Sequence, residues 1–475
     1  MSVAARIARN TVVLALAQAA TMAVNLVLWA HLGRALGPDR FGVLGFGLAL
    51  LSYFVLVVTL GFDAVGVREV ARHPDRERQL VQTVLGFRLA LGAMATLGFG
   101  LAVVWVAPDA IVRITLLVLG AQILARSVQL DWVYQGREQM GVVAVRNVSA
   151  AVVSAGLALA LVRRPSDVVW AALALTAAQW VANLGLIGTY SRSDSFPWPG
   201  RDTRAWTRLL VPALPLAATA FAAQIYANVD KLMLAWLRTT TEVGYYEAAY
   251  KVYALAVVGS AVLYPAFYPA LSAAFGDADA MRARSRAFSS ALVAVGLPLT
   301  AAGAVLAPQF IDVLFDAEYA AATPALRLLF GAAGVTYISL GFGAPLMAWH
   351  RETDYMKAIL VGSVANVILN AFLIGPLGTV GAAGATLLSE ALVMVGMAFR
   401  FHRETGTVYP SIVLRGLVVG AAGGALPAWA ATSWGWPLIP ALVLVGLASI
   451  LSAWAVGLVS IQTLRDALSR PPARS

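Results

Sequence analysis

The 475-residue chain contains no cysteine, so disulfides, thiolate catalysis and cysteine-ligated metal sites are all excluded. Histidine is nearly as scarce: His31, His73, His350 and His402 are the whole supply, too few and too scattered for a histidine metal site. No Walker glycine loop, G-x-S-x-G elbow or HExxH helix occurs, which leaves nucleotide-driven transport and these hydrolytic chemistries without a motif. Charge is thin as well, at 12% of residues, and only Lys231, Lys251 and Lys357 are lysines. No metal, cofactor or prosthetic group is therefore expected.

What the chain has instead is apolar length. With 60% hydrophobic residues and a mean hydropathy of +0.78, it holds more apolar surface than a water-soluble protein of this size can hide. Fourteen runs, each near the roughly 20 residues that carry a helix across a bilayer, fall at 11–31, 41–61, 83–107, 110–130, 141–162, 167–190, 207–230, 246–271, 287–308, 323–347, 355–375, 379–399, 410–432 and 437–460. Without period-2 alternation these runs cannot form a β-barrel, so the expected class is an all-α polytopic membrane protein of about fourteen spans. The longest polar connections, 191–205 and 274–286, are too short for an independent domain, and the first apolar run lacks a cleavage site and reads as an uncleaved span.

Placing the N-terminus in the cytoplasm puts most of the 34 basic residues on the inner side, with clusters at Arg68–Arg78, Arg192–Arg208 and Arg282–Arg286. Both termini are then cytoplasmic and the membrane is the plasma (inner) membrane. The net charge of +10 is topological, spread over short loops, and makes no nucleic-acid surface.

The chain also echoes itself. At an offset of 214, Arg137, Glu138, Ala144, Ser149, Ala151, Val153 and Leu159 meet identical residues at Arg351, Glu352, Ala358, Ser363, Ala365, Val367 and Leu373. Phe41-Gly42 before span two is matched by Val243-Gly244 before span eight. Six spans separate the copies, an even number, so both have one orientation. The expected organisation is a six-helix lobe at 1–206, a second at 207–403 and two extra spans with a tail at 404–475. Parallel repeats suit carriers, in which one lobe rocks against the other around a midplane site.

Several segments resemble the polysaccharide biosynthesis (O-antigen flippase-like) family of the multidrug, oligosaccharidyl-lipid and polysaccharide exporter superfamily. They are RALGPDRFGVLGFGLALLSYFVLVVTLGFDAVGVREVAR at 34–72, DWVYQGREQ at 131–139, NVDKLML at 228–234, GYYEAAYKV at 244–252, DAEYAAATPALRLL at 316–329 and NAFLIGPLGTVGAAGATLLSE at 370–390. The resemblance implies a fourteen-span flippase that moves an isoprenoid-pyrophosphate-linked oligosaccharide from the inner to the outer leaflet. Its partners would be that lipid-linked oligosaccharide, membrane lipids and a polysaccharide polymerase.

A pyrophosphate-sugar headgroup needs a polar, cationic path, so basic residues at depth or at cavity mouths are the candidate substrate-binding groups: Arg88, Arg137, Lys231, Lys251 and Arg351. Asp230 and Glu390 are candidate coupling carboxylates. Each has a structural reading beside the functional one. Arg88 can snorkel, Lys251 can pair with Glu247 one turn away, Arg137 and Arg351 each have an acidic neighbour, and Asp230 with Lys231 can be a buried ion pair. Tyr226, Tyr246, Tyr250 and Tyr253 suit sugar stacking or an interfacial belt, while Asn25, Asn228, Asn366 and Asn370 suit interhelical hydrogen bonds. Pro212, Pro215, Pro265 and Pro269 are candidate hinges, and the Gly-Ala-Ala-Gly runs at 331, 381 and 420 are candidate packing seams. Two other readings stay open: a cation-coupled drug antiporter of the same superfamily, and a membrane-embedded glycosyltransferase or polymerase whose hook is the DxD-like Asp277-Ala-Asp279.

Overall fold

A computed structural model describes residues 3–107, 109–194 and 196–458. The end of span fourteen at 459–460, the C-terminal tail and the side chains of Pro212 and Pro215 lie outside the described residues. All regular structure among the described residues is helical: α1 (Val3–Thr59), α2 (Phe62–Arg72), α3 (Glu77–Val106), α4 (Ala110–Ser127), α5 (Asp131–Gly136), α6 (Met140–Leu161), α7 (Val168–Asp194), α8 (Thr203–Leu237), α9 (Thr240–Ala273), α10 (Ala278–Phe315), α11 (Thr323–Ala348), α12 (Glu352–Thr405), α13 (Pro410–Val419), α14 (Leu426–Ser433) and α15 (Leu438–Ala455). Eleven helices are long and apolar enough to cross a membrane, which makes this a multi-span membrane protein.

Two of those eleven each contain a pair of expected spans. At 1.5 Å per residue a straight helix of 57 residues, the length of α1, would run about 85 Å, far beyond a hydrocarbon core of about 30 Å. It breaks at Gly37 (φ 68°, ψ 170°) just before Pro38, whose ring disfavours helical backbone in the residue ahead of it. The 54-residue α12 breaks at Gly378 (φ 55°, ψ −131°), two residues after Pro376. It folds back on itself: Arg351 pairs with Glu404 at 3.0 Å, Asp354 with Arg400 at 3.6 Å, and Asn366 donates to Ser389 at 3.2 Å. Contacts between residues so far apart along one helix require an antiparallel hairpin. The turn is held from the side by Glu242, whose Oε2 accepts from Thr379 N at 3.0 Å, while Arg238 bonds both Glu242 and the Gly375 carbonyl.

The helices run past the apolar stretches at most ends, because hydropathy reports only the part in hydrocarbon while the backbone ladder continues into the polar zone. α10, for instance, occupies 278–315 where 287–308 was apolar. Its start is capped by Asp277, which accepts from Asp279 N and Ala280 N, and Asp279 pairs with Arg282 at 2.8 Å. The DxD-like motif is thereby accounted for as a helix start. Asp109 caps α4 likewise; the Val112 and Ile111 N–H groups hold its carboxyl below the usual carboxylate range.

By packing, the chain divides into two units, Met1–Leu232 and Met233–Ser475. The division falls inside α8, whereas the expected lobe boundary lay at 206/207, so most of that helix groups with the first unit. In the second unit, glycines admit large neighbours. Gly296 and Gly303 of α10, two turns apart, leave room for Tyr337 and Phe330 of α11. The last spans join this unit: Gly416, Gly420 and Gly424 lie against Val293, Leu297 and Pro298 of α10, with residues 420–425 in a π-helical turn. Of the expected seams, 420–424 is therefore a close backbone approach, as is Gly381 against the Leu373 carbonyl, while Gly384 faces open space. α9 continues through Pro265 and Pro269.

Gly378→Ala should destabilise the protein by roughly 2–3 kcal/mol, since a Cβ there meets the Glu242 carboxylate and the backbone is one that L side chains rarely adopt. Gly384→Ala, with nothing within 4 Å of the added carbon, should leave thermal stability in detergent unchanged or slightly raised. A melting comparison of the two variants checks this.

Candidate functional site

Two segments that carried the family resemblance meet in the first unit. α2 and α5, short helices that hydropathy does not reveal, pack together with Gly66 beneath the Trp132 ring and Gly136 against Val70. Trp132, Val133 and Tyr134 are fully buried, so α5 is an anchor that fixes the residues at its two ends, Asp131 and Arg137.

Those residues belong to a charge network. Arg88 of α3 does not snorkel; it is 1% exposed, with Nη2 donating to Asp63 Oδ1 at 2.8 Å and Nη1 to the Gln129 carbonyl at 3.4 Å. The Gln129 side chain bonds Asp131 and accepts from Arg126 Nη1 at 2.6 Å. Asp131 Oδ1 in turn stands 3.9 Å from Arg146 of α6, and Arg146 donates to Asn183, Asn147 and Gln179. Arg88 is almost wholly buried, and Arg146 and Asp131 nearly so, so each of these charges is tolerable only while paired or hydrogen-bonded, whereas Asp63 keeps 52% of its side chain exposed.

Arg137 grips Glu77 at the start of α3 through both Nε (2.7 Å) and Nη2 (2.5 Å), with its guanidinium 5.1 Å from the Tyr190 ring centroid. This acidic partner lies 60 residues away in the chain. Arg351 shows the same pattern, pairing with Glu404 across the α12 hairpin instead of with Glu352. Each arginine also stands beside a left-handed residue, one after it and the other before it. Glu138 (φ 57°) and His350 (φ 59°) are both left-handed, and each turn closes with a five-residue bond, Gln139 N to the Tyr134 carbonyl and Arg351 N to the Leu346 carbonyl.

Asp230 and Lys231 are buried near the end of α8, in the first unit. Lys251 belongs to the second unit and forms the expected pair with Glu247 at 2.7 Å, keeping 22% of its own side chain exposed against 3% for the glutamate. Beside it on α9, Tyr246, Tyr250 and Tyr253 form a row with ring centroids 6.0 and 5.3 Å apart. Tyr246 and Tyr253 are buried, which rules them out of an interfacial belt, and Tyr246 Oη bonds Thr386 of α12 at 3.3 Å. The same hairpin buries Asn366, Asn370, Ser389 and Glu390, with Asn370 bonded to Asn366 at 3.0 Å. Two of the expected interhelical asparagines thus act within the hairpin.

Residues 7–275 match the family model described as "Polysaccharide biosynthesis protein". The chain belongs to the polysaccharide biosynthesis protein family. Among its relatives in this family's wider circle, it is 22% identical over 248 residues to the "Putative O-antigen transporter" of Escherichia coli (strain K12), covering 51% of this chain and 59% of that one. It is 24% identical over 207 residues to the "Probable low-salt glycan biosynthesis flippase Agl15" of Haloferax volcanii, covering 41% and 44%. These matches span about half the length of the relatives. In fold, the chain is similar to the lipid II flippase MurJ in an inward closed conformation, with a TM-score of 0.68 over 97% of this chain and 100% of that one at 13% identity. An inward-facing multidrug transporter of the MATE family is also similar, with a TM-score of 0.62 over 81% and 94% at 14% identity.

Sequence reasoning singled out Arg88 and Arg137 but missed Asp63, Glu77, Asp131 and Arg146. A signal existed: in a chain with few acids, Asp63, Glu77 and Asp131 all stand in or beside the family-like segments at 34–72 and 131–139. Removing one partner of the Arg137–Glu77 pair strands a largely buried charge. Arg137→Ala should therefore destabilise by about 2–4 kcal/mol, while adding Glu77→Ala should restore part of the loss, with a coupling of about 1–3 kcal/mol in a double-mutant cycle of melting stability.

Proposed function

We propose that this member of the polysaccharide biosynthesis protein family is a flippase: it moves an isoprenoid-pyrophosphate-linked oligosaccharide from the inner to the outer leaflet of the plasma membrane by alternating access between two lobes. The observation that carries the reading is the retention of cations at depth. Lys231, Lys251, Arg88 and Arg146 sit in apolar helices where charge is costly, in a chain whose relatives are named as an O-antigen transporter and a glycan flippase.

Lys251 is the group best suited to meet the pyrophosphate, because its side chain is 22% exposed while paired with Glu247, so an incoming anion can reach it without breaking that pair. Lys231 is a second buried cation, in the first unit. Arg137 and Arg351 stand at the inner mouths with their forks set by Glu77 and Glu404, and Arg88 supports the lobe interior. Asp230 and Glu390, buried carboxylates on α8 and α12, are the coupling groups. Both termini face the cytoplasm in this arrangement, and a polysaccharide polymerase on the outer face is the partner that consumes the product. The enzyme reading loses its hook with Asp277 and Asp279 engaged at a helix start.

With the inside negative, carrying two substrate charges outward releases roughly 4–5 kcal/mol at 100 mV. Proteoliposomes holding a fluorescent isoprenoid-pyrophosphate-linked oligosaccharide, bleached by a reductant confined to the outside, test the proposal. The protein should expose substrate faster than empty liposomes, and collapsing the potential at constant pH should slow it. Lys251→Ala should slow it about tenfold, as expected for one lost hydrogen bond to a charged group, with Lys251→Arg retaining most activity. Rates equal to those of empty liposomes would reject the flippase. Export of a cationic drug in exchange for protons, with no flipping, would instead favour the antiporter, whose support is the fold likeness to the MATE transporter.

A further inference from the structure

Within the first unit, a cavity of about 290 Å³ opens among α1, α4, α6 and α7, lined by Thr21, Trp29, Gln122, Arg146, Asn147 and Gln179 among others. Its hydrogen-bonding pattern is fixed by the surroundings. Arg146 donates to Asn147 Oδ1 at 3.0 Å and to Gln179 Oε1 at 2.7 Å. A guanidinium has no acceptor, so both amides must turn their oxygens toward it, which leaves their NH2 groups for the cavity. Gln122 is fixed in the opposite sense. Thr176 gives its only hydroxyl proton to the Val118 carbonyl at 3.1 Å, so the 3.2 Å bond between Gln122 Nε2 and Thr176 Oγ1 must be donated by the glutamine, leaving Gln122 Oε1 as an acceptor. The Thr21 hydroxyl is buried with no hydrogen-bond partner among the described residues.

The cavity therefore offers two set donors, one set acceptor, a hydroxyl awaiting a partner and an indole. A metal ion takes acceptors only and is repelled by Arg146. A small inorganic anion takes donors only, and the guanidinium that would attract it is already occupied by Asn147, Gln179, Asn183 and nearby Asp131. Vicinal hydroxyls are donors and acceptors together, and the C–H face of a sugar ring suits an aromatic wall such as Trp29. At the small end of ligand cavities, which run from roughly 300 to 1,000 Å³, the space takes one ring and no oligosaccharide.

We propose that this cavity is a subsite for a single neutral pyranose ring of the transported saccharide. The proposal rests on the flippase reading, and the groups that define it, Gln122, Asn147, Gln179 and Thr21, are separate from the cations assigned to the pyrophosphate.

Saturation-transfer NMR on the full chain in lipid nanodiscs tests it, with methyl glycosides of glucose, galactose, rhamnose and N-acetylglucosamine as probes and inorganic phosphate as competitor. Transfer to the ring protons of at least one glycoside is expected, weakened about fivefold in Gln122→Leu and in Thr21→Val, each of which removes one hydrogen bond. Thr21→Val keeps the side-chain shape and breaks no existing bond, so it reports even if Gln122→Leu fails to fold. No transfer from any glycoside, transfer unchanged in the variants, or displacement by phosphate would each overturn the subsite. Flipping is measured on the same preparations. Flipping without glycoside transfer overturns the subsite alone, whereas variant-sensitive transfer without flipping leaves a saccharide-binding cavity but overturns the flippase and with it the cavity's part in transport.

Discussion

Hydrocarbon offers no hydrogen bonds, and that single constraint shapes everything in this chain. Backbone groups can be satisfied only within each helix, which is why the described residues hold no strand. Charged side chains obey the same rule. Arg88 finds Asp63, Arg137 finds Glu77, and Arg146 finds Asn183, Gln179 and Asp131, each across a helix boundary. Such pairs add little net stability, because desolvation offsets most of the attraction, but breaking one is costly. They consequently fix which helices stand beside which more than they strengthen the bundle.

Glycine does the complementary work on the apolar side. Where lipid and protein are equally apolar, helices associate through close packing, and Gly66 beneath Trp132, Gly296 beside Tyr337 and Gly424 against Pro298 are places where a missing side chain lets a large neighbour or a backbone approach. At Gly37 and Gly378 the same residue does something different, supplying backbone angles that turn a helix without a long loop.

How much of this was legible in the sequence follows from the range of each interaction. Spans were readable because apolar length is a local property, and the Lys251–Glu247 pair because it lies within one turn. The hairpin at 376–379 was visible as a gap between apolar runs, though its backbone is nearly continuous helix. The partners of Arg88 and Arg137 were not readable, since Asp63 and Glu77 lie 25 and 60 residues away and only the packed bundle brings them together. α2 and α5 escaped because short helices outside the apolar runs carry no hydropathy signal. Arg146 was overlooked as one more arginine near a span end, yet it orders the polar interior of the first unit. The family-like segments, by contrast, pointed to the right family.

The proposed flippase must keep a few charges poised at depth and expose them first to one face of the membrane and then to the other. Because the chain has no cysteine, Lys251→Cys places one thiol on a silent background. Its reaction with a membrane-impermeant thiol reagent, applied from either side of sealed vesicles, is the most direct measurement. The account predicts labelling from both faces, with protection by isoprenoid-pyrophosphate-linked oligosaccharide. Labelling from one face alone, or none from either, regardless of substrate, would contradict it.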